Sequence, residues 1–194
     1  MSCPLHHRST RRRFAAVFAL LGLLATASQA STDGDWSALG DGSIVLFRHA
    51  NAPGGGDPAG FQLGNCRTQR TLDDTGRVQA RRIGEQFRRR GVKVGAVLTS
   101  QWCRTRETAE LAFPGQWRDE PAFNSFFGDR SQADARTAAA LAVLDRWRGP
   151  GVLVVTTHQM NIIALTGIGA ASAEGVVVRS GPAGVEVLTR LRFD

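Results

Sequence analysis

Three short apolar runs most strongly constrain how this chain can fold. Residues 43–47, 94–99 and 152–156 are rich in valine, isoleucine and leucine, and each is too short for a buried helix. Longer segments with helical patterning separate them along the chain. Strands that alternate with helices favour an α/β fold, with a mostly parallel sheet covered by helices on both faces.

The segments between and after these runs predict four helices and two closing strands. The first helix begins with Asp74 or Thr75 as its N-cap and carries an apolar stripe of Val78, Ile83 and Phe87. The remaining predicted elements are helices over 104–112, 133–148 and 159–165 and strands over 176–178 and 185–191. Residues 116–131 are expected to be irregular, and residues 51–71 form a long loop rich in glycine and proline, of the kind that is often functional.

The N-terminal residues 1–30 have the layout of a signal peptide. Arginines at 8 and 11–13 precede an apolar run over 14–25 and a small-residue site that ends at Ala30. The arginine cluster suits the twin-arginine route and the general secretory route equally well. The prediction is a 31–194 domain that is periplasmic or secreted, the alternative being a cytoplasmic protein with a basic N-terminus. The apolar run is shorter than the about 20 residues of a membrane-spanning helix, so no integral membrane segment is expected.

The charge of the chain depends strongly on this segment. The full chain has 24 basic and 17 acidic residues, whereas residues 1–30 contain four arginines and no acidic residue. Without them the domain has 20 basic residues against 17, a net charge of +3. Net charge therefore provides little support for binding to nucleic acid, and no nucleic-acid partner is expected.

Two cysteines remain after residue 30, Cys66 and Cys103. In an oxidising compartment they can form a disulfide. Two unpaired thiols are an equally good interpretation, because the sequence does not reveal the distance between their Cα atoms.

Histidine and arginine residues follow the predicted strands. Only two histidines lie beyond residue 30: His49 follows the first strand and His158 follows the third. Arg48 adjoins His49, and Arg104 lies shortly after the second strand. Because the carboxyl ends of parallel strands form the ligand-binding edge of such a sheet, these four side chains are expected to share one rim.

This set of side chains suits the chemistry of phosphate esters. Guanidinium groups bind a phosphate dianion through paired donors. A histidine can attack phosphorus as a nucleophile, provided that its other ring nitrogen donates to an acceptor such as a backbone carbonyl. A second histidine, if protonated, would stabilise the negative charge of the transferring group. The alternative is that both histidines are structural residues satisfied by local hydrogen bonds.

Four segments resemble the histidine phosphatase superfamily, also called the phosphoglycerate-mutase-like family. They are Arg48-His49-Ala50, the Leu72, Gly76, Gln79 and Ala80 pattern, the segment from Thr99 to Arg104 with Thr108 and Ala109, and the segment from Val154 to His158. The resemblance implies a three-layer α/β/α sandwich without metal or cofactor. It also implies a phosphohistidine intermediate on His49, with Arg48, Arg104 and His158 in the same pocket.

The general acid of the family has no clear counterpart. Many members carry a glutamate at the position of Ser125, and another branch has an aspartate after its second histidine, where this chain has Gln159. Asp129 is the nearest acidic residue and is taken as the candidate. Glu120 and Asp57 are the next candidates, and water suffices for a good leaving group.

The resulting prediction is an exported phosphomonoesterase that uses His49 as its nucleophile. Its substrate would be a phosphorylated small molecule or a phosphorylated envelope glycolipid, because the small exported members that this chain resembles include phosphatases of lipopolysaccharide core heptose. A non-catalytic phosphate- or anion-binding module is the alternative from another functional class. A phosphomutase is less favoured, because the chain is short and such reactions are cytoplasmic. No metal is expected, since no cluster of ligands has the necessary spacing.

Overall fold

A six-stranded sheet forms the centre of the computed structural model, which describes residues 1 and 35–193. The strands are β1 (Ile44–Arg48), β2 (Val94–Thr99), β3 (Trp117–Asp119), β4 (Val152–Thr157), β5 (Gly175–Gly181) and β6 (Gly184–Leu191). Their order across the sheet is β3-β2-β4-β1-β5-β6. Residues 35–193 belong to one compact unit. The predicted signal peptide lies, apart from residue 1, outside the described residues.

The sheet is mostly parallel, as the sequence predicted. The pairs β3–β2, β2–β4 and β4–β1 are parallel, whereas β5 pairs antiparallel with both β1 and β6. The short edge strand β3 lies in the segment that was expected to be irregular. Its three residues are partly or fully exposed, so they lack the apolar pattern that identified the buried strands.

Four helices connect the strands: α1 (Asp74–Arg89), α2 (Cys103–Ala112), α3 (Ala133–Asp145) and α4 (Gln159–Thr166). Two details of the α1 prediction are wrong. Asp73 is the N-cap, because its extended backbone lets Oδ1 accept from the Gly76 N–H at 2.7 Å. Val78 is exposed, because the buried face of α1 runs through Gly76, Ala80, Ile83 and Phe87, and residue 78 points to the opposite side.

Two hydrophobic cores lie on opposite faces of the sheet. Alternate residues of β1 divide between them, with Val45 and Phe47 in one core and Ile44 and Leu46 in the other. The first core includes residues of α1 and α2, and the second includes residues of α3 and α4. The three-layer α/β/α sandwich with its mostly parallel central sheet is therefore confirmed.

The register of the sheet aligns the carboxyl ends of its three central strands. Arg48 at the end of β1 lies beside Thr157 of β4, and Thr99 at the end of β2 lies beside Thr156. The residues that follow these strands therefore emerge at the same edge of the sheet. None of the described helices has the length and apolar character needed to cross a membrane.

Candidate active site

Backbone hydrogen bonds continue this alignment past the ends of the strands. The His49 N–H donates to the Thr157 carbonyl at 2.9 Å, and the Ser100 N–H donates to the Thr156 carbonyl at 3.1 Å. These bonds place His49 beside His158, with ring centroids 5.6 Å apart. They also place the start of α2, and with it Arg104, at the same edge.

A cavity of about 200 Å³ opens at this edge, and we call it the strand-end cavity. Arg48, His49, Arg104 and His158 all line it, so the structure brings together the four residues that the sequence selected. The other lining residues are Gly54, Gly55, Gly56, Asp57, Arg70, Ser125, Phe127, Gln159 and Met160.

His49 is oriented as a nucleophile requires. Its Nδ1 lies 2.8 Å from the Ala50 carbonyl oxygen, an acceptor, so Nδ1 carries the proton and Nε2 has a lone pair. Burial lowers the pKa of His49 from 6.5 to about 3, with further lowering by Arg104, Arg48 and Arg70 and opposition from the Ala50 hydrogen bond. The imidazole is therefore neutral at physiological pH, and Nε2 is the ring nitrogen that carries the lone pair.

Arg104 connects this nitrogen to a carboxylate. Its Nε donates to His49 Nε2 at 3.3 Å, and its Nη1 donates to Asp57 Oδ1 at 2.8 Å. Burial lowers the pKa of Arg104, and Asp57 opposes that effect. An arginine nevertheless stays protonated in proteins, so a buried positive charge lies directly beside the candidate nucleophile.

His158 is as buried as His49, and each side chain is only 4% exposed. Its Nε2 shares a hydrogen bond of 2.8 Å with Ser100 Oγ, whereas its buried Nδ1 has no partner among the described residues. Burial, and then the charges of Arg104 and its neighbours, hold the pKa of His158 well below 6.5. The second imidazole is thus neutral in the free protein, and protonation would require an added negative charge nearby.

Arg70 is a residue of the cavity that the sequence analysis missed. Its guanidinium donates to the carbonyls of Ala52, Gly54 and Gly56, with 2.8 Å to Gly54, and so holds the glycine-rich loop against the cavity. The available signal was its place at the end of a long loop of functional type. Its cationic side chain adds to Arg48, whose Nη1 donates to the Ala170 carbonyl at 3.1 Å.

The Leu72–Ala80 pattern supports the site without contacting the cavity. A side chain at Gly76 would place its Cβ 2.2 Å from the Asn51 carbonyl oxygen, so only glycine allows this approach of α1 to the chain after His49. Gln79 Oε1 accepts from the Asn51 N–H at 2.9 Å. Two pattern positions therefore fix the backbone two residues beyond the candidate nucleophile.

The candidate acids differ in their distance from the cavity. Asp129 is the N-cap of a short helical turn, where Oδ1 accepts from Ser131, and Glu120 caps another turn through Ala122. Neither lines the cavity. Ser125 does line it, so the position of the family glutamate faces the site but carries no acid. Among the described lining residues, Asp57 is the only carboxylate.

A disulfide joins Cys66 to Cys103 and thereby ties the long loop to the first residue of α2.

Replacing both cysteines with serine is expected to lower the free energy of unfolding by about 2–4 kcal/mol, because the unfolded chain gains conformational entropy without the crosslink. It should also raise KM for a phosphate ester, since Arg104 adjoins Cys103. Thermal unfolding with and without dithiothreitol tests this. Dithiothreitol should lower the melting temperature of the unsubstituted protein but not that of the double serine variant. The expectation is contradicted if the oxidised unsubstituted protein melts at the same temperature as the reduced protein and the variant.

The buried histidines predict a specific dependence of stability on pH. An unfolded histidine titrates near pH 6.5, whereas folded His49 titrates at about 3, and the pKa of His158 is lowered in the same direction. Between pH 6.5 and about 3 the unfolded chain binds protons that the folded protein does not, so stability falls as the pH falls through this window. Between pH 7.5 and pH 5, the free energy of unfolding measured in urea should fall less for His49→Asn than for the unsubstituted protein. Equal decreases in the two proteins would contradict this account.

The charge of the strand-end cavity suits an anion. With both imidazoles neutral, three guanidinium groups and one carboxylate leave a formal charge of +2. Across the part of the chain that the structure describes, no group of three or more histidine, cysteine or acidic residues is placed to hold a metal ion. The arrangement can therefore bind a dianion and present it to His49 Nε2.

Comparison with known proteins agrees with this geometry. Residues 44–123, which include His49 and Arg104, match the family model of the histidine phosphatase superfamily, branch 1. No curated protein sequence matches the chain.

Solved structures share the fold at low sequence identity. The protein TTHB049 from Thermus thermophilus is 20% identical, with a TM-score of 0.54 and coverage of 78% of this chain and 99% of its own. The protein histidine phosphatase SixA complexed with tungstate is 16% identical, with a TM-score of 0.54 and coverage of 77% and 96%. The product of open reading frame Rv3214 from Mycobacterium tuberculosis is 15% identical, with a TM-score of 0.54 and coverage of 75% and 95%.

Proposed function

This chain belongs to the histidine phosphatase superfamily, and we propose that it is an exported phosphomonoesterase that forms a phosphohistidine intermediate on His49. The observation that carries the proposal is the state of His49. Its Nδ1 donates to the Ala50 carbonyl, so the Nε2 lone pair is available, and this nitrogen lies in a cavity with three guanidinium groups. A nucleophile, its fixed tautomer and an anion-binding site thus occur together.

The reaction proceeds in two displacements. In the first, the Nε2 lone pair of His49 forms a bond to phosphorus, and the ester P–O bond breaks towards the leaving group. Arg48, Arg70 and Arg104 bind the phosphoryl oxygens and offset their charge in the transition state. In the second, water attacks the phosphohistidine, the P–N bond breaks and inorganic phosphate leaves.

The charge of the cavity favours monoesters over diesters. A phosphate monoester carries close to two negative charges at neutral pH, which balances the formal charge of +2 in the strand-end cavity. A diester carries only one negative charge, so it would leave part of the positive charge of the cavity unbalanced. The second histidine contributes when the bound dianion favours its protonation.

Two observations support export. Residues 1–30 have the layout of a signal peptide, and the Cys66–Cys103 disulfide is of a kind that persists in oxidising compartments. In the periplasm or outside the cell, the substrate would be a phosphorylated small molecule or the phosphorylated headgroup of an envelope glycolipid. Because the cavity opens at the sheet edge, the rest of such a molecule can remain outside.

Trapping of the intermediate tests the proposal. The protein lacking residues 1–30 is mixed with a phosphorus-32-labelled aryl phosphate and quenched in alkaline denaturant, which preserves phosphohistidine. We expect covalent label on the peptide that contains His49, release of inorganic phosphate, and no label on His49→Asn. A binding module would retain phosphate only reversibly, and a mutase would transfer the label to an organic acceptor rather than to water. Either of those results would overturn the proposal.

A further inference from the structure

We propose that Asp57 is the proton donor for the leaving group, a role that rests on the proposed phosphomonoesterase function. Expulsion of an alkoxide is slow unless its oxygen receives a proton as the ester bond breaks. The family position for that donor is Ser125 in this chain, and Gln159 follows the second histidine. The donor must therefore come from another part of the cavity wall.

The residues that line the cavity identify Asp57 as the candidate proton donor. Of the residues that line the cavity within the described chain, it alone has a carboxyl group. Asp129, the acid closest in sequence to the family position, is held by Ser131 outside the cavity. A proton donor has to come within about 2.6–3.2 Å of the departing oxygen, and only Asp57 among these carboxyl groups shares the space in which that oxygen would lie.

Arg104 sets the position of Asp57 relative to the nucleophile. Its Nε contacts His49 Nε2, and its Nη1 contacts Asp57 Oδ1. The guanidinium of Arg104 therefore bridges the two side chains, and His49 and Asp57 face the same cavity. A phosphoryl group bound by Arg104 in this cavity would have both side chains as neighbours. If His49 attacks from one side in an in-line displacement, Asp57 would serve the leaving group on the other.

A second contact keeps the carboxyl group in this orientation. Trp102 Nε1 donates to Asp57 Oδ2 at 2.9 Å, and the indole stacks on Phe61, with ring centroids 5.1 Å apart. Asp57 thus has one oxygen on Arg104 and one on Trp102, in a side chain that is 17% exposed. Both contacts come from the start of α2, so Asp57 and Arg104 are positioned by the same element.

Substrate binding would change the partners of Asp57. In the free protein the carboxylate pairs with Arg104 in a cavity that Arg48 and Arg70 also line. A bound phosphate group would compete with Asp57 for these guanidinium groups and bring the ester oxygen beside the carboxyl group. Asp57 would act there in its protonated form, and the exposed part of its side chain lets solvent supply the proton.

The proton is then used in both halves of the reaction. As the N–P bond forms, the ester P–O bond breaks, and its electron pair leaves with the oxygen, which takes the proton of the Asp57 carboxyl group. The carboxylate then accepts a proton from the attacking water, whose oxygen bonds to phosphorus as the P–N electron pair returns to His49 Nε2. Asp57 ends the cycle protonated, and no other reactant is required.

The test is the dependence of the rate on the leaving group. We expect Asp57→Asn to lower kcat/KM for phenyl phosphate by about 10²–10⁴-fold, the range for loss of a general acid. The loss for 2,4-dinitrophenyl phosphate should be far smaller, because that leaving group departs without a proton. Asp57→Glu should restore part of the phenyl phosphate rate. Asp134→Asn, which removes the same charge from an exposed position on α3, should match the unsubstituted protein with both substrates.

Several results would overturn the assignment. Equal losses for the two substrates would mean that Asp57 only positions Arg104. Tighter inhibition by inorganic phosphate with unchanged leaving-group dependence would mean that the carboxylate merely competes for Arg104. A selective loss of phenyl phosphate hydrolysis in Asp129→Asn, and not in Asp57→Asn, would assign the acid to Asp129. None of these outcomes contradicts the proposed phosphomonoesterase function. That function is refuted separately, if the unsubstituted protein forms no phosphohistidine from 2,4-dinitrophenyl phosphate.

Discussion

Replacing His49 with alanine is expected to lower kcat/KM for an aryl phosphate by on the order of 10⁴- to 10⁶-fold, as for loss of the nucleophile or its base in other hydrolases. The physical reason is that the other described imidazole of the cavity is not placed to replace it. His158 Nε2 is engaged by Ser100 at 2.8 Å and its Nδ1 is buried, whereas His49 Nε2 has a longer contact of 3.3 Å with Arg104. Initial rates with p-nitrophenyl phosphate measure the effect.

A second variant separates loss of chemistry from loss of folding. His49→Asn retains an amide that can donate to the Ala50 carbonyl, the acceptor of the native imidazole. It should be as inactive as the alanine variant while its melting temperature stays close to that of the unsubstituted protein. Activity within tenfold of the unsubstituted protein in either variant would refute the nucleophilic role of His49.

Replacing Arg104 with alanine is expected to have the second-largest effect, a loss of at least about 10²–10³-fold in kcat, the range for removal of one donor to a developing negative charge. Inhibition by inorganic phosphate should weaken as well, because Arg104 is buried and carries one of the three positive charges of the cavity. The variant also leaves the Asp57 carboxylate without its ion-pair partner. Steady-state kinetics and phosphate inhibition measure the two effects separately.

Two further variants show whether the effect of Arg104 on activity comes from its positive charge or from the geometry of its hydrogen bonds. Arg104→Lys keeps the positive charge but has all its donors on one nitrogen, so it cannot reproduce the separate Nε and Nη1 contacts to His49 and Asp57. Its activity should lie between those of the alanine variant and the unsubstituted protein. Arg89→Ala removes an exposed guanidinium from α1 and should leave kinetics unchanged. If Arg104→Ala resembles Arg89→Ala, the guanidinium has no part in phosphate binding.

The elements that the sequence predicted well are those with a strong local pattern. The strands β2 and β4 coincide with the apolar runs at 94–99 and 152–156, and the buried face of α1 repeats every three or four residues. The edge strand β3 has neither property, because it is short and largely exposed, and it was missed. The helix cap was misplaced by one residue, since Asp73 and Asp74 are chemically alike and only the backbone conformation distinguishes them.

The site residues also divide into those that a local sequence pattern identifies and those that it does not. His49 and His158 could be selected because each directly follows a strand, and strand ends share an edge in any parallel sheet of this kind. Arg70 and Asp57 lie in a loop without a repeating pattern, where sequence position does not reveal which side chains face the cavity. The carboxyl candidate that sequence proximity favoured, Asp129, caps a turn outside the cavity.

The layered α/β architecture and the residue types at the strand ends could be predicted from the chain alone, because hydrophobic periodicity and the alternation of strands with helices are patterns among neighbouring residues. How those groups act together depends on the folded molecule. The Asp57–Arg104 ion pair, the Cys66–Cys103 disulfide and the Asn51–Gln79 contact join residues 47, 37 and 28 positions apart. The lowered pKa of His49 depends on burial and on charges brought from other elements. Such distances and environments exist only once the chain has folded.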